Sequence, residues 1–282
     1  MSAVDKLELR LRALRSTGRK GIAPYVTAGD GGSAVTLAVL RELADLDVPC
    51  VELGLPFSDP IADGPLLQAA NDRALATGTT FEEVLEILSR FRRGGPGEMG
   101  RDLPVIVMSY ANPLVRRGWA NAVNALARAG ADGLLVADLP IEEAGAMHAA
   151  ARAAGIAPIF FVAPTTSEQR TTTAIQLSRG FVYAIGRLGV TGARTELDEP
   201  AQAFLSRVRR VAGGLPVAVG FGITSAEDVS AALRHADLAI VGSAFVEHVH
   251  QAVSQAVAPR KLDAARLATR EFLQVLASGV PG

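Results

Sequence analysis

The chain has 282 residues, 49% of them hydrophobic and 20% charged, which gives apolar surface for a sizeable core and too little charge for a disordered chain. Its formal net charge of −1 argues against a general nucleic-acid binder, and a single cysteine excludes an intrachain disulfide framework and any cysteine-rich zinc or iron–sulfur site. Cys50 opens an apolar run and reads as an inert buried thiol.

The first twenty residues carry charges throughout and lack the apolar centre of a secretory signal. No apolar window is long enough to span a membrane, so a cytoplasmic protein is expected. Residues 4–15 form a first helix. Eight short apolar runs then follow, at 21–28, 50–54, 103–108, 133–137, 157–162, 181–185, 216–219 and 238–241. Their apolarity is continuous rather than alternating, as in parallel strands buried on both faces. Helical periodicity fills the intervals, at 33–46, 65–77, 81–92, 118–129, 142–154, 167–178, 200–212, 225–234 and 244–257. Ser33, Thr80, Ser167 and Ser225 stand where these helices need caps, and Gly130, Gly155 and Gly180 where they stop. Residues 94–100 read as a surface loop, and 263–277 as a last helix. The class is α/β: a (β/α)8 TIM barrel over 21–257, in one domain with an N-terminal helix (1–20) and a C-terminal extension (258–282).

Chemistry in such a barrel belongs to the loops that follow the strands. Lys6, Lys20 and Lys261 are the only lysines, and none lies within a strand or just after one, so Schiff-base chemistry is not expected. His148, His235, His248 and His250 all fall in helices or at their ends, and no histidine metal site is expected. Glu52 differs, because it stands inside the apolar run Val51-Glu52-Leu53. A carboxylate there is either half of a structural ion pair or a catalytic group with a raised pKa, and its place at a barrel strand end favours catalysis. The following loop holds Asp59 and Asp63. Composition does not separate a helix cap or turn residue from a catalyst at either. Gly220-Phe221-Gly222 after the seventh strand, and Gly242-Ser243 after the eighth, fit either plain turns or backbone N–H groups cradling a phosphate. After the sixth strand, residues 186–195 hold three glycines and two arginines, as a connector or as a mobile lid.

Residues 51–65 (VELGLPFSDPIADGP) and 189–193 (GVTGA) strongly resemble the tryptophan synthase alpha subunit, with further matches at 25–30, 110–113, 137–140, 220–223 and 242–244. The resemblance implies retro-aldol cleavage of indole-3-glycerol phosphate to indole and glyceraldehyde 3-phosphate. It implies no cofactor or metal of the chain's own. The implied partner is a beta subunit that condenses indole with serine using pyridoxal phosphate, in an alpha2-beta2 assembly. By position, Glu52 matches the acid–base carboxylate and Asp63 the carboxylate facing the indole N–H. Tyr183 matches an active-site tyrosine, and Thr191 a lid threonine that meets the second carboxylate. Gly192, Gly222, Gly242 and Ser243 match phosphate-binding positions. Tyr25, Met108, Leu135 and Ala137 match the indole pocket. A free-standing lyase that releases indole is the alternative.

Overall fold

The computed structural model describes residues 3–94, 101–185, 197–220 and 222–281. Among these, nine strands form one parallel sheet: β1 (Gly21–Thr27), β2 (Val51–Gly54), β3 (Val105–Ser109), β4 (Gly133–Val136), β5 (Ala157–Ile159), β6 (Phe161–Val162), β7 (Val182–Ile185), β8 (Val217–Gly220) and β9 (Leu238–Val241). Their order is β5-β4-β3-β2-β1-β9-β8-β7-β6. The two ends of this order, β5 and β6, are consecutive in the chain and separated only by Phe160. They are therefore the two halves of one barrel strand, and the sheet closes into the eight-stranded barrel that the apolar runs predicted. At the break, the Phe160 amide is taken by the Ser178 hydroxyl (3.2 Å), while its carbonyl still accepts the Tyr183 amide (3.1 Å).

The described helices are α1 (Ala3–Ser16), α2 (Ser33–Asp45), α3 (Pro65–Ala76), α4 (Phe81–Arg93), α5 (Ala111–Val115), α6 (Trp119–Ala129), α7 (Gly145–Ala154), α8 (Glu168–Leu177), α9 (Glu199–Ala212), α10 (Ala226–His235), α11 (Ser243–Gln255) and α12 (Lys261–Ala277). Thr80, Ser167 and Ser225 cap α4, α8 and α10 through their side chains, and Ser225 closes a reciprocal box with Asp228. Ser33 does not cap α2. Gly32, with φ +97°, holds the cap position instead, and the Ser33 hydroxyl bonds Glu83. Gly130 and Gly155 end α6 and α7 in the left-handed region, whereas Gly180 lies beyond the α8 cap, Ser178. The predicted helix at 142–154 starts later, because 141–144 are turns. The single-turn helix α5 was not predicted. Of the loop at 94–100, only Gly94 lies within the described residues.

Two hydrophobic layers result. Outward-facing strand residues such as Val51, Leu53, Val105, Val107 and Leu134 pack against the helices. Inward-facing residues, among them Ala23, Cys50, Ile106, Leu135, Ile159 and Phe181, fill the barrel's lower half. Leu7 and Leu11 of α1 join this inner layer and plug the N-terminal mouth. Burial of each contributes on the order of 2 kcal/mol. Burial also pushes the Cys50 thiol pKa up, which keeps it protonated and inert.

The same aspartate latch closes the N-terminal end of two strand pairs. Asp132, just before β4, donates its amide to the Val105 carbonyl (2.8 Å) and accepts the Val105 amide on Oδ2 (2.8 Å). Asp237, just before β9, repeats this with Val217 at 2.9 Å in both directions. Asp132 also meets Lys6 (2.9 Å) and Arg92 (2.5 Å).

Candidate active site

The four residues of β2 are all buried. Strand alternation sends Val51 and Leu53 outward and Glu52 into the barrel. Glu52 is 1% exposed, and its Oε1 has no hydrogen-bond partner among the described residues. An arginine partner, the other reading of this carboxylate, is not present among them. Burial without compensation pushes its pKa up to about 8.

A cavity of about 330 Å3 opens at the C-terminal ends of the strands and reaches down to Glu52. Tyr25 of β1, Met108 of β3 and Tyr183 of β7 line its walls, with Ala137 after β4 and Phe161 of β6. The Tyr183 ring packs against Phe161 at 4.9 Å, tilted by 44°. The tyrosines fit closely. A side-chain carbon on Gly54 would fall 1.9 Å from the Tyr25 hydroxyl, and one on Gly220 would fall 2.4 Å from that of Tyr183. Burial and the nearby carboxylates push both phenol pKa values up, so each hydroxyl stays protonated. Leu135, expected in the indole pocket, is not among the lining residues. It is fully buried one layer below, in the inner core with Ile106 and Ile159.

Asp63 reaches the same cavity from the loop after β2. It does not cap α3, whose cap position is Gly64, with Pro65 opening the helix. Its carboxylate accepts from Asn71 Nδ2 at 3.4 Å and pairs with the Tyr110 hydroxyl. Burial pushes its pKa up, and these two hydrogen bonds oppose the shift. Asp59 is a turn residue, whose carbonyl accepts the Ile61 amide at 2.9 Å.

After β8 and β9, Gly222, Ile223, Thr224, Gly242 and Ser243 also line the cavity. Gly222 has φ +69°, which suits glycine. Gly242 caps α11, and Ser243 is its first residue. The unsatisfied N–H groups of that first turn therefore stand beside the cavity, with the helix dipole behind them and a hydroxyl beside them. No lysine, arginine or histidine lines the cavity among the described residues. Thr191 and Gly192, and the rest of 186–196, lie outside the described residues.

The sequence profile of the tryptophan synthase alpha chain matches residues 11–274. The chain belongs to the tryptophan synthase alpha chain family. It is 41% identical over 277 residues to the tryptophan synthase alpha chain of Halorhodospira halophila, covering 98% of this chain and 99% of that one. Among solved structures, the alpha subunit from Legionella pneumophila superposes with a TM-score of 0.84 at 30% identity, covering 98% and 99% of the two chains. A chain of the a2b2 complex from Pyrococcus furiosus gives 0.79 at 34% identity, covering 92% and 98%.

Within this alpha-chain fold, the cavity also takes residues that motif reading passed over: Leu67, Phe161, Ile185 and Thr224. Phe161 and Ile185 sit in ordinary apolar runs, and only knowledge of which strand face turns inward separates them from core. Asn71 left no signal, because a polar residue within a helical pattern reads as surface.

Proposed function

We propose that Glu52 and Asp63 are the catalytic pair of a lyase that cleaves indole-3-glycerol phosphate to indole and glyceraldehyde 3-phosphate, in tryptophan biosynthesis. The observation that carries the assignment is the state of Glu52: buried, its Oε1 without a partner among the described residues, with a pKa pushed up to about 8, at the floor of a cavity that Asp63 also lines. Cleavage requires a proton delivered to indole C3 and a proton removed from the hydroxyl on the adjacent side-chain carbon. The carbon–carbon bond then breaks, its electrons return to the indole ring, and the oxygen becomes the aldehyde. Protonated Glu52 supplies the first proton, and its carboxylate takes the second, so the residue ends as it began. Protonation at C3 places positive charge on the indole nitrogen. The Asp63 carboxylate, held at the cavity wall, stabilises that charge as it forms.

The aromatic and apolar wall of Tyr25, Met108, Ala137, Phe161 and Tyr183 suits the flat indole ring. Gly222, Gly242 and Ser243 suit the phosphate, held through neutral N–H donors and the α11 dipole. Gly192 and Thr191 complete the reading as a second phosphate contact and a lid residue that meets Asp63. The working assembly is with a tryptophan synthase beta subunit, which consumes the indole. The setting is the cytoplasm, in keeping with the absence of any described helix long and apolar enough to cross a membrane.

The test is steady-state turnover of indole-3-glycerol phosphate, assayed for indole and glyceraldehyde 3-phosphate, with and without a beta subunit. Both products are expected, with faster turnover in the complex. No indole in either arm overturns the assignment.

A further inference from the structure

The loop that carries Asp63 is fastened at three points, and two side chains outside it make the fastening. Asn71, on the second turn of α3, is 2% exposed, and its amide is fully engaged. Oδ1 accepts the Phe57 amide at 3.0 Å, at the start of the loop. Nδ2 donates to the Leu67 carbonyl at 2.8 Å and to Asp63 Oδ2 at 3.4 Å, at its end. The orientation of the amide is fixed by its neighbours: Phe57 N–H can only donate, and both other partners can only accept. Tyr110, just after β3, works from the other side. Its hydroxyl accepts the Ala62 amide at 3.1 Å, one residue before Asp63, and reaches the Asp63 carboxylate as well. Its ring lies stacked on Phe57 at 5.2 Å. Each residue thus binds Asp63 itself and, through a backbone amide, the loop that bears it.

We propose that Asn71 and Tyr110 are positioning residues that hold the Asp63 carboxylate charged and aimed at the cavity, where it meets the cationic indole nitrogen. The inference rests on the lyase reading for its catalytic consequence, although the hold on Asp63 is a property of the free protein. Among the described residues, the catalytic end of this loop has two other anchors: its own turn, Asp63 N–H to the Pro60 carbonyl (3.0 Å), and Gln68 Nε2 to the Asp63 carbonyl (2.9 Å). Those two bonds fix the backbone and leave the carboxylate free to rotate.

The ionisable groups that face Asp63 are Tyr25 from β1, Glu52 from β2, Tyr110 after β3 and Tyr183 from β7. Among the described residues none brings a positive charge, so there the hydrogen bonds from Tyr110 and Asn71 are what offset the burial of the carboxylate. Removing one disfavours the charged form and moves its titration up in pH. Activity that needs ionised Asp63 is then lost at a higher pH on the acid side. The alkaline limb, set by Glu52 near pH 8, stays in place.

The experiment compares Tyr110→Phe and Asn71→Leu with the unaltered chain, in complex with a beta subunit. Tyr110→Phe keeps the ring on Phe57 and removes only the hydroxyl. Each variant is expected to lower kcat roughly tenfold or more, with KM changed about twofold or less. The acid limb of kcat should rise by about one pH unit, because a hydrogen bond to a charged group has that effect. The carboxyl carbon NMR shift of Asp63 in the free chain reads the same titration without any substrate, and should move upward in step. A folded Tyr110→Phe protein with an unmoved Asp63 titration overturns the positioning role, whatever its activity. If Asp63 titrates higher in the variants while the unaltered chain releases no indole, the hold on Asp63 stands and the lyase reading falls.

Discussion

Glu52 and Asp132 are both 1% exposed and both belong to the barrel's strand ends. Asp132, on the N-terminal side, receives Lys6, Arg92 and the Val105 amide. Glu52, turned toward the C-terminal cavity, receives no charge from the described residues, and among them its Oε1 has no partner. A buried carboxylate is costly, and partners offset that cost. Burial pushes both pKa values up, but at Asp132 Arg92, Lys6 and the Val105 amide oppose the shift, and at Glu52 no described group does. The contrast separates a carboxylate that holds the fold from one poised to exchange a proton near neutral pH.

The largest expected effect lies at Glu52. Glu52→Gln keeps the volume and removes the proton exchange, so turnover of indole-3-glycerol phosphate should fall by roughly 10²–10⁴-fold or more. Near-normal turnover by the folded variant would erase the distinction. Asp63→Asn should lower kcat by a smaller but still large factor, roughly 10²-fold, with KM little changed, since its charge matters once the nitrogen is cationic. Stability should move in opposite directions at the two ends. Asp132→Asn leaves Lys6 and Arg92 without their shared anion and should cost on the order of 3 kcal/mol in urea unfolding. For Glu52 the sign is reversed. Its pKa rises from 4.5 to about 8 on folding, so the folded state is favoured below pH 4.5 and loses that advantage as pH climbs to 8. The unaltered chain should therefore lose on the order of 5 kcal/mol across that window relative to Glu52→Gln. Parallel stability curves would mean that Glu52 is compensated after all. The smallest effects test the neutral rim. A side-chain carbon on Gly242 meets only Leu67 and Tyr25, at 3.9 Å. Gly242→Ala should leave KM within about twofold, whereas the branched Gly242→Val should raise it roughly tenfold by occupying the anion's approach to the backbone.

Much of this contrast was legible in the residues before any fold was known. Continuous apolar runs marked the strands, because parallel strands are covered on both faces, and a glutamate within one could not be ascribed to solvation. The identity of its neighbours was not legible. Whether Glu52 met an arginine depended on what faces it across the barrel, and among the described residues no cation does. Asp63 read equally well as a cap until Gly64 was seen to hold that position. Ser33 had the right chemistry for a cap, but the left-handed Gly32 starts the helix one residue earlier. Met108 and Leu135 are register partners on adjacent strands and are alike in chemistry. Only Met108 lines the cavity, while Leu135 is sealed beneath it, a difference of layer that periodicity alone does not encode.

That layer is decided far from the cavity. The Asp132 latch ties the first residue of β3 to the residue just before β4, at the closed end of the barrel. A slip of one residue would break both its bonds and turn every side chain of β3 to the opposite face. Met108 would then leave the pocket and Val107 would enter it. The composition of the pocket wall is thus set by a polar lock roughly 10 Å down the strand, and Asp237 repeats the lock for β8 and β9 on the other side of the ring. Two registration points, one in each half of the chain, specify which residues a substrate would meet.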